Sequence, residues 1–200
     1  MAIRILTGTL PFVFLMFTSH TPAFANTLQN ALTVYDEEVN IRTRYLAYAE
    51  RADEEGYHGA AGLFRAVARA NEINMSAFAR LIKKMGGSPL TVVDRFPVDD
   101  TRRNLDNAAR IAQVEWQKLY TQYMKEAQNE NILEPMERLT YAKTAGNQHA
   151  TLFRKAGEQP SEWKERSSVF VCSVCGYAVV PWPGRQCPSC HTVESFETIS

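Results

Sequence analysis

All four cysteines of the chain fall in its last thirty positions, as Cys172-Ser-Val-Cys175 and Cys187-Pro-Ser-Cys190. Two residues between the members of a pair let one tight turn aim both sulfurs, and several backbone N–H groups, at a common point. Two such knuckles close a tetrahedron. The spacing therefore commits the C-terminal segment to a small fold wrapped around a tetrathiolate metal site. Iron and zinc both accept four thiolates. Iron would make the site a one-electron carrier, and zinc would make it a staple. Two disulfides are the alternative in an oxidising compartment, although C-x-x-C knuckles make poor partners within a pair.

Such a compartment is what the first residues predict. Arg4 is followed by an unbroken apolar stretch from Leu10 to Phe17, then Ala23-Phe24-Ala25 before Asn26. This is the pattern of a signal peptide over residues 1–25, with small residues where the peptidase cuts. The run is too short for a membrane anchor. The expectation is an exported, periplasmic protein with no membrane insertion once the signal is removed. The whole chain has 22 basic and 22 acidic side chains, and without Arg4 it has 21 against 22. This balance, with no basic run, excludes the electrostatic footprint of a nucleic-acid binder.

The middle of the chain reads as helices. Leu32, Tyr35, Val39, Arg42, Leu46 and Ala49 keep a helical step from Leu28 to Glu55, and Gly56 closes the run. A second helix is predicted from His58 to Met85 and stops at Gly86-Gly87, and a third from about Thr101 to Asn129. A fourth starts near Pro135 and reaches Ala156 before Gly157. The stretch from Gly86 to Val98, with Ser88-Pro89 and Phe96-Pro97, is long enough to run the length of the molecule. Two short-looped helix pairs joined by one such crossover match the ferritin-like four-helix bundle. The expected division is a bundle over 26–157, a polar linker over 158–168 and the two-knuckle domain over 169–200. Val169–Val171 and Glu194–Ile199 are expected to pair as strands.

This layout resembles rubrerythrin across residues 27–200. Glu38-Val-Asn-Ile-Arg-Thr-Arg-Tyr45 is similar to the family's first-helix ligand motif. Glu55-Gly56-Tyr57 is similar to its turn into helix two, and Asn104-Leu105 to its approach to the third motif. Phe170-Val-Cys172-Ser-Val-Cys175-Gly-Tyr177 resembles the first knuckle of rubredoxin. The resemblance implies a ferritin-like bundle with a C-terminal rubredoxin-like domain, a peroxide-reducing activity at a bundle di-iron centre, and a head-to-tail homodimer.

Family members ligate two irons with a first-helix carboxylate, Glu-x-x-His on the second helix, Glu-x-x-Glu on the third and Glu-x-x-His on the fourth. Residues three apart share a helix face, so each pair can point inward together. Matched without gaps, these positions fall on Glu38, then Asn71 and Asn74, then Ala112 and Glu115, then Gly146 and His149. Glu38, Glu115 and His149 remain, and the bridging positions hold an amide and a glycine. The resemblance thus implies a degenerate centre, with a di-iron pair not expected. The three survivors could hold a single metal, or persist as buried polar groups bonded to Asn71, Asn74 and tyrosines.

The expected function is electron transfer through an iron tetrathiolate on Cys172, Cys175, Cys187 and Cys190, with an unidentified redox partner. A peroxide reductase with an atypical bundle metal, and a zinc-ribbon interaction protein, are the rivals. His58 and His191 are expected at the surface, His191 with an option on a contact behind the cage. Glu72 is expected on a solvated face.

Overall fold

The computed structural model describes residues 25–165 and 168–200, the side chains of residues 25 and 114–118 excepted. The segment predicted as a signal peptide lies outside the described residues. So does the side chain of Glu115.

Helix α1 runs over Ala25–Glu54 and α2 over His58–Lys84. Between them Gly56 adopts φ +77°. Its N–H bonds Asp53 O at 3.0 Å, and the N–H of Tyr57 bonds Ala52 O at 2.8 Å. This paired closure consumes two carbonyls that a helix end would otherwise leave open, and the left-handed residue it needs is least costly as glycine. The same closure recurs at Gly86 after α2 and at Asn131, φ +57°, later in the chain. The first and last α2 residues stand one position from the expected bounds or on them.

The crossover over 86–100 is extended and lies along α1, tied there by buried Asn40. Its amide donates to Val92 O at 3.4 Å, and its carbonyl accepts from Asp94 N at 2.7 Å. The far end is clasped by Glu55, which accepts from Thr101 N at 2.8 Å and Thr101 Oγ1 at 2.6 Å. Asp100 caps α3 (Thr101–Arg110) by accepting from Arg103 N at 2.9 Å.

The third helix departs from its expected form. Instead of one α-helix to Asn129 there is a π-helical turn over Ile111–Glu115, followed by α4 (Trp116–Asn129). The wider turn admits an extra residue without ending the helix. Helix α5 spans Leu133–Glu158 with Pro135 in its first turn, so it runs slightly further than expected at both ends. The bundle core is partly an aromatic cluster. Tyr45, Tyr48, Phe64 and Phe153 are all buried, with ring centroids 5.2–6.3 Å apart.

Three strands follow among the described residues: β1 (Val169–Cys172), β2 (Ala178–Val179) and β3 (Phe196–Ile199). They form an antiparallel sheet in the order β2-β1-β3, with Val169 opposite Ile199 and Cys172 opposite Phe196. The two-residue β2 was not anticipated, because the turn chemistry around Gly176 masks so short a strand. Trp182 sits edge-on to Phe170 and Phe196, at 4.9 and 5.7 Å.

The linker fixes this domain to the bundle. Carbonyls of Trp163 and Lys164 accept from Ala60 N and His58 N, each at 3.0 Å, satisfying donors that the start of α2 leaves free. A Cβ on Gly59 would stand 2.5 and 2.6 Å from the carbonyl oxygens of Glu165 and Trp163, so the approach requires glycine.

Candidate metal centre

β1 ends on Cys172, and the turn after it brings Cys175 around. A second turn presents Cys187 and Cys190. The four sulfurs lie within 4.8 Å of one another, with Cys172–Cys190 and Cys175–Cys187 both at 3.6 Å. Thiolates 2.3 Å from a common ion would be about 3.8 Å apart in a tetrahedron, so the donor set fits a four-coordinate metal. No pair is within disulfide distance, and all four cysteines are free. Among the described residues they are the one group of three or more His, Cys, Asp and Glu side chains that could hold an ion.

The protein prepares these sulfurs unequally. The Cys175 thiol beside Cys172 lowers its pKa to about 4 against the opposing effect of burial, helped by Ser195 Oγ at 3.2 Å and the amides of Val174 and Cys175. Cys175 is pushed up, first by that same bond to Cys172 and then by burial, and burial pushes Cys187 up to about 11. Cys172 is thus the sulfur whose thiolate the surroundings favour, while Cys175 and Cys187 are favoured as thiols. Three cysteines are buried and Cys190 is partly exposed, with Thr192 Oγ1 3.3 Å from its sulfur. Ser195 and Thr192 carried no sequence signal, since single hydroxyl residues in a loop are common. His191 is exposed at φ +59° and donates its backbone N–H to Cys187 O at 3.0 Å.

The second candidate site is a cavity of about 40 Å³ in the bundle. Glu38, Asn71, Asn74, Ala112, Gly146 and His149 all line it, together with Tyr120. Glu38 is 3% exposed. Its oxygens accept from Asn71 Nδ2 at 2.6 Å, Asn74 Nδ2 at 3.1 Å and the Tyr120 hydroxyl at 3.3 Å. Burial nevertheless raises its pKa to about 7, because three neutral donors offset only part of the cost of a buried charge. Asn71 Oδ1 is buried in the cavity wall with no hydrogen-bond partner among the described residues.

His149 faces two ways. Its Nε2 lies 3.0 Å from the carbonyl oxygen of Gly176, the residue after Cys175. A carbonyl only accepts, so Nε2 carries the hydrogen and Nδ1 is bare. Burial holds the ring neutral, with the pKa lowered to about 4. The cage thus rests on its own chain's bundle: a Cβ on Gly176, φ +73°, would stand 3.1 Å from Ala70 O. Arg69 grips Glu197 with two bonds of 2.8 and 2.9 Å. Tyr120, two turns beyond Ala112, was missed because a tyrosine at helical spacing is usually core filling. His58 pairs with Asp53 at 2.8 Å and stays partly exposed, and Glu72 pairs with Arg42 and Arg69 near the surface.

The comparisons with known proteins decide the family, because the rubrerythrin family model matches residues 28–157. The chain belongs to the rubrerythrin family. Rubrerythrin-2 of Clostridium acetobutylicum is 27% identical over 172 residues, covering 82% of this chain and 94% of its own. Nigerythrin of Nitratidesulfovibrio vulgaris is 26% identical over 178 residues, with 88% of each chain covered. A structure of fully reduced, all-ferrous nigerythrin superposes with a TM-score of 0.81 at 25% identity, covering 99% of this chain and all of that one. A bacterioferritin from Desulfovibrio desulfuricans, 15% identical with a TM-score of 0.63, shares the fold over 72% of this chain. Membership brings redox chemistry and iron binding of the rubrerythrin kind, and the four-cysteine cluster fits a rubredoxin-like iron site.

Proposed function

We propose that this chain is an exported electron-transfer member of the rubrerythrin family, working through an iron tetrathiolate on Cys172, Cys175, Cys187 and Cys190. In this reading the bundle no longer houses a di-iron pair. One observation carries it. The cage offers four donors at metal-binding separations, whereas the bundle cavity presents Glu38 already engaged by two amides and a phenol. Two dications side by side need bridging carboxylates, and the positions that would supply them are Asn71 and Gly146.

Bound iron would supply a one-electron couple. The chain's part is to hold the sulfurs, donate backbone N–H groups to them, and keep water from three of the four. Export would follow from residues 1–25, periplasmic location from export, and a homodimer from the habit of the family. The redox partner would be a separate protein.

The test is metal analysis of the mature protein from iron-rich medium, with absorbance and peroxide turnover measured on the same sample. One iron per chain, a red oxidised form and no turnover are expected. A colourless protein containing zinc would replace electron transfer with a structural role. Additional iron with rapid peroxide reduction would restore the peroxide-reductase reading. Mass spectrometry of the periplasmic fraction should find a chain beginning at Asn26.

A further inference from the structure

Helix α2 carries Arg69, Ile73, Ser76 and Arg80 at steps of four, three and four, so they form one stripe along its length. Facing the stripe are Arg138 of α5 and the pair Ser173-Val174, which lies between Cys172 and Cys175. Together they line a cleft of about 310 Å³. Every polar side chain in this lining carries hydrogen-bond donors, and no carboxylate belongs to it.

The three guanidinium groups are not equally engaged. Arg69 is held by Glu197 and, at 3.4 Å, by Glu72. Arg138 uses one N–H on the Val174 carbonyl at 3.2 Å, with its guanidinium carbon 6.0 Å from the centre of the Tyr141 ring. Arg80 is exposed and makes no hydrogen bond or ion pair among the described residues. Two cations with unspent donors, and hydroxyls at Ser76 and Ser173, thus border a recess whose described lining holds no carboxylate.

We propose that this cleft is an oxyanion-binding site for a phosphate dianion, free or as a monoester, gripped by Arg80 and Arg138 with Ser76 and Ser173 as further donors. Guanidinium forks match the oxygen spacing of such a group. A recess with donors on several walls suits a small anion better than the broad acidic face of a protein. The site abuts the knuckle, because Arg138 holds a carbonyl between two of the cage cysteines. The placement does not depend on which metal the cage holds.

The experiment is calorimetric titration of the metal-loaded chain with inorganic phosphate at fixed ionic strength, with glycerol phosphate and sodium chloride as parallel arms. Saturable binding of phosphate but not chloride is expected. Arg80→Gln should weaken it about tenfold or more, the worth of one charge-assisted contact, with unfolding temperature unchanged because that exposed side chain makes no hydrogen bond or ion pair among the described residues. Lys83→Gln, an exposed charge on α2 outside the cleft, should bind as wild type. Tighter binding of glycerol phosphate would identify the monoester as the preferred form. Equal losses in both variants would reduce the effect to net charge and overturn the site. So would an absence of phosphate binding with retention of a poly-glutamate peptide, which would reassign the surface to an acidic partner.

Discussion

Glu38 is a carboxylate buried among groups that can only partly replace water. With a pKa near 4.5 unfolded and about 7 folded, the folded state binds the extra proton between those values. Stability attributable to Glu38 is therefore intact below pH 4.5 and falls as pH rises to 7, by about 3 kcal/mol at most. His149 acts in the opposite sense. Its pKa is lowered to about 4, so its contribution is lost as pH falls from 6.5 toward 4. The two nearly cancel in the wild-type profile, and a variant is needed to separate them. Glu38→Gln can donate to Asn71 Oδ1 if that amide reverses, which keeps a hydrogen bond between the two side chains. We expect the variant to gain on the wild type by roughly 3 kcal/mol between pH 4.5 and 7, measured by urea unfolding at each pH. A flat difference would mean that Glu38 stays ionised. At this scale the sequence was informative where chemistry is local. The cysteines announce themselves by spacing, and Asn71 and Asn74 by register. The bond from His149 to Gly176 was illegible, because it joins residues that only docking brings together.

Among the elements, α5 has a weak point that its neighbours explain. Gly146 lies mid-helix beside the cavity, and a Cβ there would meet only Ala112 O at 3.5 Å, an ordinary contact. Close packing does not require this glycine. Gly146→Ala should therefore stabilise the bundle by about 1 kcal/mol, read as a rise in thermal midpoint at unchanged metal content. A fall would mean that the cavity resists even a methyl group. The helices and their stops were legible because glycine at a helix end and apolar residues at helical spacing are both local signals. The π turn was not. Its residues Ile111 to Glu115 have the composition of any amphipathic helix, and no residue among them signals the wider winding. The basic stripe on α2 was hidden for a related reason, since its arginines are eleven residues apart and form a patch only when wound.

On the scale of the whole molecule, the cage and the bundle are joined by the linker carbonyls on α2, the Arg69–Glu197 pair, and Gly176 against Ala70. The bundle core runs on into the sheet through Val169, Val171 and Ala178, while the cysteines form a second cluster with Tyr177, Phe196 and Tyr141 of α5. Cys175→Ser should accordingly abolish the red colour of the iron form while leaving helical circular dichroism near wild type. Loss of the helical signal would show the two parts folding as one unit. The order of helices and strands was legible in the sequence, but the pose of the cage on the bundle depends on contacts such as Arg138 with Val174, for which no motif exists.

The bond from His149 to the Gly176 carbonyl has a thermodynamic corollary. Whatever free energy metal binding gains by finding the knuckle already held, the bundle gains in return when the metal arrives, because coupling between two events is the same in either direction. Retention of the ion against a chelator is thus partly a property of α5, and an alteration in the helical core far from any sulfur becomes a change in metal affinity.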